Sequence, residues 1–207
     1  MGPAAGAEGW TPTVDDVVSA VVAGERRIVV VDVEATCWKK GVFSRKKETI
    51  EIGAVLLLLD SPQSSWPEFQ TFVRPQRLPH LSSFCRELTG ITQENVDSAP
   101  GFPEAFRLFL EWSQPLERVV LATWSRYDVW QLDLDLEAHG LPKLAIPFLD
   151  VKKLAGRIAG TKSFEETARQ LASDGGAMPR HRAMPDARRT ASILNRLLHP
   201  LVPPGAR

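Results

Sequence analysis

Cysteine is scarce in this chain. Cys37 and Cys85 are the only two among 207 residues, too few for a disulfide framework or for the four-ligand cage of a structural zinc. Both read as reduced thiols, the state expected of a cytoplasmic protein. Long apolar runs are missing too. The longest, residues 54–59, is six residues, against the roughly 20 needed to cross a bilayer, so no membrane span or membrane partner is expected. Residues 1–10 are rich in Gly and Ala with no basic flank and no apolar core, which argues against a secretory signal. Net charge is absent: 25 Lys and Arg offset 25 Asp and Glu, so no overall basic footprint advertises nucleic acid. No internal repeat, zinc-protease helix, phosphate-binding loop, dinucleotide fingerprint or nucleophile elbow is found. Their absence sets aside solenoids, P-loop enzymes, Rossmann dehydrogenases and elbow-type hydrolases.

The chain is 43% hydrophobic and 24% charged, ordinary for a globular protein and enough for one sizeable core. Its charge is unevenly spread. Residues 151–207 carry eleven Lys and Arg against four Asp and Glu, or +7, which leaves −7 on residues 1–150. Lys39, Lys40, Arg45, Lys46 and Lys47 form a basic cluster inside that acidic portion. Basic groups bracketing an acidic centre suit a protein that grips phosphates around bound cations, although any one such cluster also serves as a solvated face.

Residues 27–34, RIVVVDVE, are β-branched and almost continuously apolar, the pattern of a central strand buried on both faces. Residues 49–59 and 69–74 give two more strands, the first preceded by a connecting loop over 39–47 and the second ended by Pro75. Ser82 or Ser83 caps a short helix to Leu88 that Gly90 stops, and Thr92 opens a further turn. Residues 102–112 form an amphipathic helix. A strand follows at 118–123, and Ser125 caps a helix to Ala138. Asp150 and Ser163 cap helices to Ile158 and Ala172, residues 173–180 form a Gly-rich loop, and Pro185 opens a last helix to about Leu198. Three antiparallel strands, then helices around a fourth strand, predict an α/β fold with a mixed sheet flanked by helices. Residues 1–22 and 201–207 are expected as tails and 23–200 as one domain.

Asp32 and Glu34 interrupt the central strand. At i and i+2 they point to one side of the sheet and can share a cation, without which burying two anions is costly. Hard cations such as Mg²⁺ take such oxygens. An Asp-x-Glu pair alone is a weak signal, as often a solvated strand end. Asp128 falls in the first turn of the helix after the fourth strand, where complementarity to the helix dipole is explanation enough. Asp133 and Asp135, further along, read as solvated. His181 and Asp186 lie in HRAMPDARRTA, the first in a loop and the second at a helix start. A histidine above a metal site suits proton removal from water; a plain loop histidine is the alternative. His80, His139 and His199 read as surface or capping groups.

Together and in this order, Asp32, Glu34, Asp128, His181 and Asp186 resemble the signature of the DEDDh 3′–5′ exonuclease family, of the DnaQ-like superfamily with its RNase H-like fold. The resemblance covers residues 27–198. VVDVEATCW (30–38), FVRP (72–75) and LSSFCRELTGITQENVDSAPGFPEAF (81–106) resemble the Eri-type branch, whose members trim small RNAs and the ends of histone messenger or ribosomal RNA. The resemblance makes 23–200 an exonuclease domain. It implies that Asp32, Glu34, Asp128 and Asp186 hold two Mg²⁺ or Mn²⁺ ions, that His181 is the general base, and that the product is a nucleoside 5′-monophosphate. Ala35 and Thr36 resemble the segment whose backbone meets the terminal nucleotide, and Leu88 and Thr89 the residues that wedge against the last base. Trp38, Trp124 and Tyr127 flank the site and are expected to stack on bases, with core packing the alternative for each. Arg180 and Arg182 are expected at phosphates. The activity implied is hydrolysis of single-stranded RNA or 3′ overhangs, RNA favoured over DNA. A DNA-trimming, proofreading-type enzyme of the same superfamily is one alternative. A non-catalytic nucleic-acid-binding module is another, disfavoured because four converging carboxylates repel phosphate.

Overall fold

The computed structural model describes residues 13–40, 46–59, 61–161, 163–171 and 181–201. Its strands are β1 (Arg27–Ala35), β2 (Thr49–Leu57), β3 (Glu68–Phe72), β4 (Val119–Thr123) and β5 (Phe148–Asp150). They form a five-stranded sheet in the order β3-β2-β1-β4-β5. β1, β2 and β3 are antiparallel neighbours, while β4 and β5 run parallel to β1. The mixed sheet read from the sequence is the sheet observed. β5 is an addition to that reading, since three residues carry no periodicity to detect.

The helices are α1 (Val14–Val22), α2 (Ser83–Thr89), α3 (Gln93–Asp97), α4 (Phe102–Trp112), α5 (Arg126–Ala138), α6 (Val151–Ala159), α7 (Phe164–Leu171) and α8 (Ala183–Leu198). Their starts are set by side chains that accept from orphan amides: Ser82 from Cys85, Thr92 from Asn95, Ser125 from Tyr127, Asp150 from Lys153 and Ser163 from Glu166. α8 begins two residues before Pro185, which sits comfortably in a first turn. Residues 14–22, expected within an N-terminal tail, form α1 instead. Thr13 and Asp16 make a capping box at its start, and Val17 and Val18 are buried in the core. Residues 1–10, the loop 173–180, Arg45 and Arg180 lie outside the described residues.

Alternation along β1 divides the core in two. Val29, Val31 and Val33 face α4 and α5, meeting Phe102, Phe106, Phe109, Leu132 and Leu136. Ile28 and Val30 face the other way, against α1, α6 and the long buried stripe of α8 from Ala187 to Leu198. Asp32 and Glu34 continue this second face. Among the described residues no helix is long and apolar enough to cross a membrane.

Candidate active site

β1 outruns its parallel neighbour. The β1–β4 register ends at Val30 paired with Ala122, so beyond that point the β4 side of β1 needs other hydrogen-bond partners. Asp128, in the first turn of α5, supplies one: its Oδ1 accepts from the Val33 amide at 3.3 Å. The same side chain is buried, and Ser125 sets its place by capping α5. A crevice at the carboxyl ends of parallel strands is where open α/β sheets bind ligands.

α8 closes the site from the second face. Gly53 on β2 pairs with Asp32 on β1, and a Cβ at Gly53 would sit 2.4 Å from the Ala183 carbonyl carbon and the Met184 nitrogen. The first turn of α8 therefore rests on bare backbone, which only glycine permits. That approach brings Asp186 onto Asp32 and Glu34, and ligand oxygens of the three lie within 4.8 Å of one another.

The electrostatics of this group are unfavourable as it stands. Burial drives the Asp32 carboxyl well above its ordinary range, with Asp128, Glu34, Asp186 and Glu51 adding repulsion. Burial, then Asp186, Glu51 and Asp128, push Glu34 to about 8. Asp128 rises to about 7, chiefly by burial, although the Val33 amide opposes it. Burial also raises Asp186, against the pull of Arg189, whose Nη1 is 3.5 Å from Oδ1. Among the described residues that Oδ1 is buried without a hydrogen-bond partner. Hard oxygen donors, convergent and short of N–H partners, fit a divalent cation.

His181 precedes α8 and is exposed, with a left-handed backbone (φ 57°) that is unusual for a residue with a Cβ. Its amide donates to Asp186 Oδ2 at 3.1 Å. Arg182, expected at phosphates, is engaged elsewhere. Its Nη2 and Nε reach the two oxygens of Glu51 at 3.0 and 3.1 Å.

The remaining expected residues separate by surroundings. Leu88 and Tyr127 are exposed, and Lys47 lies 5.7 Å over the Tyr127 ring. Burial, then the neighbouring carboxylates, push the Tyr127 phenol to about 12. Trp38 is half-buried. Trp124 packs edge-on against Phe164, with centroids 5.0 Å apart, and joins the core, so here the packing alternative describes its ring. Thr89 is buried; its hydroxyl donates to the Cys85 carbonyl and accepts from the Ile91 amide. Thr36 is buried with its amide on the Glu48 carbonyl, and Ala35 is buried beside it.

Asp135 corrects the sequence reading. It is buried, not solvated, and accepts from the Thr49 amide and hydroxyl, Gln131 Nε2 and Arg77 Nη2. Glu48, also buried, accepts from the amides of Gln76, Arg77 and Leu78. Glu51 was missed as well. An acidic residue inside the apolar strand run TIEIGAVLL is the local signal for it, while its place opposite Glu34 emerges only in the fold. Asp133 accepts from the Leu144 amide, and His139 ends α5 stacked on Phe102.

A family model described as Exonuclease matches residues 29–194. ERI1 exoribonuclease 2 of Danio rerio is 43% identical over 90 residues, 44% of this chain and 16% of that protein. The 3′–5′ exoribonuclease 1 of Rattus norvegicus is 31% identical over 137 residues, 62% of this chain and 39% of that protein. This chain thus spans less than half the length of these relatives. Among solved structures, the nuclease domain of 3′hExo, a DEDDh family member bound to rAMP, superposes with a TM-score of 0.77 at 26% identity, covering 85% of this chain and 93% of that one. A 3′-exonuclease in a structure of 3′-end-specific recognition of histone mRNA stem-loop gives 0.75 at 26% identity, over 85% and 83%.

Proposed function

The chain belongs to this exonuclease family, on its DEDDh Eri-type branch, and from that premise we propose that it removes nucleotides singly from the 3′ end of single-stranded RNA or short 3′ overhangs. The observation that carries the reading is the convergence of Asp32, Glu34 and Asp186 within 4.8 Å, with Asp128 held on the Val33 amide between the first two in sequence and the His181 amide on Asp186. We assign Asp32, Glu34, Asp128 and Asp186 as ligands of two Mg²⁺ or Mn²⁺ ions. Bound there, such ions lower the pKa of a water and offset charge on the phosphate and the leaving 3′ oxygen.

His181, exposed beside Asp186, takes the proton from the attacking water, and its exposed ring can pass that proton to solvent. The backbone of Ala35 and Thr36, held by Glu48, lines the place of the terminal nucleotide. Leu88 and Tyr127 offer exposed apolar surface for the last base. Lys39, Lys40, Lys46 and Lys47 supply the phosphate-facing charge beside the site. RNA is favoured because the relatives are named exoribonucleases. The two cysteines stand as free thiols, in keeping with the cytoplasmic setting proposed here.

The test uses 5′-labelled RNA and DNA of matched sequence with Mg²⁺, Mn²⁺ or EDTA. A ladder shortening from the 3′ end and abolished by EDTA supports the enzyme, and the RNA-to-DNA rate ratio selects between RNA and DNA trimming. Binding without cleavage under every metal condition refutes it and leaves the binding module.

A further inference from the structure

We propose that Glu51 and Arg182 are a positioning pair that holds the turn carrying His181 in register with the carboxylates. The inference rests on the exonuclease reading above for the role of His181. Glu51 is fully buried on β2, opposite Glu34. Its Oε1 accepts from Arg182 Nη2 at 3.0 Å and Gln70 Nε2 at 2.6 Å, and its Oε2 from Arg182 Nε and the Ala183 amide at 3.1 and 3.0 Å. This bidentate fork is the most directional ion pair available to an arginine. The guanidinium also lies 5.5 Å over the Phe72 ring, so its other side is taken too. An arginine committed in this way is not a free phosphate contact.

The position of the pair says what it holds. α8 is anchored over its length by buried Ala187, Ala191, Ile193, Leu194, Leu197 and Leu198, which do not need Glu51. At its start Ala183 and Met184 rest on Gly53, but among the described residues His181 ahead of them has no such packing. His181 is exposed, and its left-handed backbone is a strained conformation that surrounding contacts must offset. Among the described residues two hydrogen-bonded fastenings flank it: its own amide on Asp186, and the Arg182–Ala183 unit on Glu51. Loss of the second frees the imidazole while leaving the helix docked.

The experiment compares Glu51→Gln, Arg182→Lys and wild type in the full chain, with a single-stranded RNA oligonucleotide and Mn²⁺. Amide hydrogen exchange is followed on the same proteins without metal or substrate. Gln at 51 keeps the volume but turns an N–H toward the guanidinium and the Ala183 amide. The expected result is a kcat lower by ~10–100-fold, the usual cost of losing an outer supporting contact, with KM changed far less. Exchange should quicken at 181–184 and stay slow at 187–198. Arg182→Lys, which keeps charge without the fork, should fall between. If Glu51→Gln fails to fold, Arg182→Gln at the partly exposed partner repeats the test with the same expectations. Wild-type kcat in the folded variant, or quickened exchange along all of α8, overturns the proposal. An inactive wild type would instead sink the exonuclease reading, and the exchange pattern would still report on the pair.

Discussion

Two groups of buried or half-buried carboxylates share the β1, β2 and α5 region and are treated in opposite ways. Glu48 and Asp135 are saturated with donors: three backbone amides for the first, and an amide, a hydroxyl, an amide side chain and Arg77 for the second. Asp32, Glu34, Asp128 and Asp186 have few donors among them; burial raises all four, and repulsion adds to it for Asp32, Glu34 and Asp128. The first group fastens the segment after β1 to β2, α5 and the loop at 76–78. The second keeps lone pairs uncommitted at the cost of stability, which makes sense only if something positive arrives. Acid content does not separate the two groups; donor supply does.

The sharpest way to break this contrast is Asp32→Asn. Hydrolysis should drop to background, while the metal-free melting temperature at pH 8 should hold or rise, because Asn carries no charge into the acidic centre. Retained turnover, or a clear loss of stability, would place Asp32 with the structural acids. His181→Ala should lower kcat by ~10²–10⁴-fold at neutral pH, the worth of a general base, and flatten the acid limb of the pH–rate profile. An unaltered profile removes it from the mechanism. Glu48→Gln is the mirror experiment. Amides at 76–78 lose acceptors, so denaturant unfolding should show a loss of ~1–3 kcal/mol, with kcat near wild type. A stable Glu48→Gln with kcat as low as Asp32→Asn would erase the distinction.

The same contrast is read without any substitution in the pH dependence of the metal-free protein. Glu34 is raised from the ordinary 4.5 to about 8 and Asp128 from 3.8 to about 7, so the folded state binds these protons more tightly than the unfolded one. Their stabilising contribution is complete below the unfolded values and is lost as pH rises through the folded ones. Melting temperature should therefore decline from about pH 5 to 8. Mn²⁺ at ten times its Kd should restore ~1.4 kcal/mol, or ~3–6 °C for a chain of this size. A curve that climbs over that interval, or ignores Mn²⁺, contradicts the picture of an uncompensated acidic centre.

Local signals carried most of the fold. The apolar run of β1, the serine and aspartate caps and the period-2 spacing of Asp32 and Glu34 are written in neighbouring residues and were readable as such. What escaped depends on distant partners. Asp135 is a polar residue on a helix without a clean apolar stripe, and Thr49, which donates to it, is 86 positions away. Arg182 meets Glu51 across 131 positions, so its commitment is invisible from HRAMPD. α1 is the exception: Thr13 with Asp16 and five valines at helical spacing are local signals, masked by the Gly/Ala-rich stretch before them that reads as a tail.

At position 53 the molecule depends on atoms that are not there. A related chain could keep all five signature residues, bind metal weakly or not at all, and owe this to one methyl group that lifts the start of α8 off β2. Counting acidic residues would score such a chain as an intact enzyme. A better marker of competence in this fold joins the five to a glycine opposite the first of them, since a ligand set is defined by the backbone spacing that lets it close as much as by the ligands.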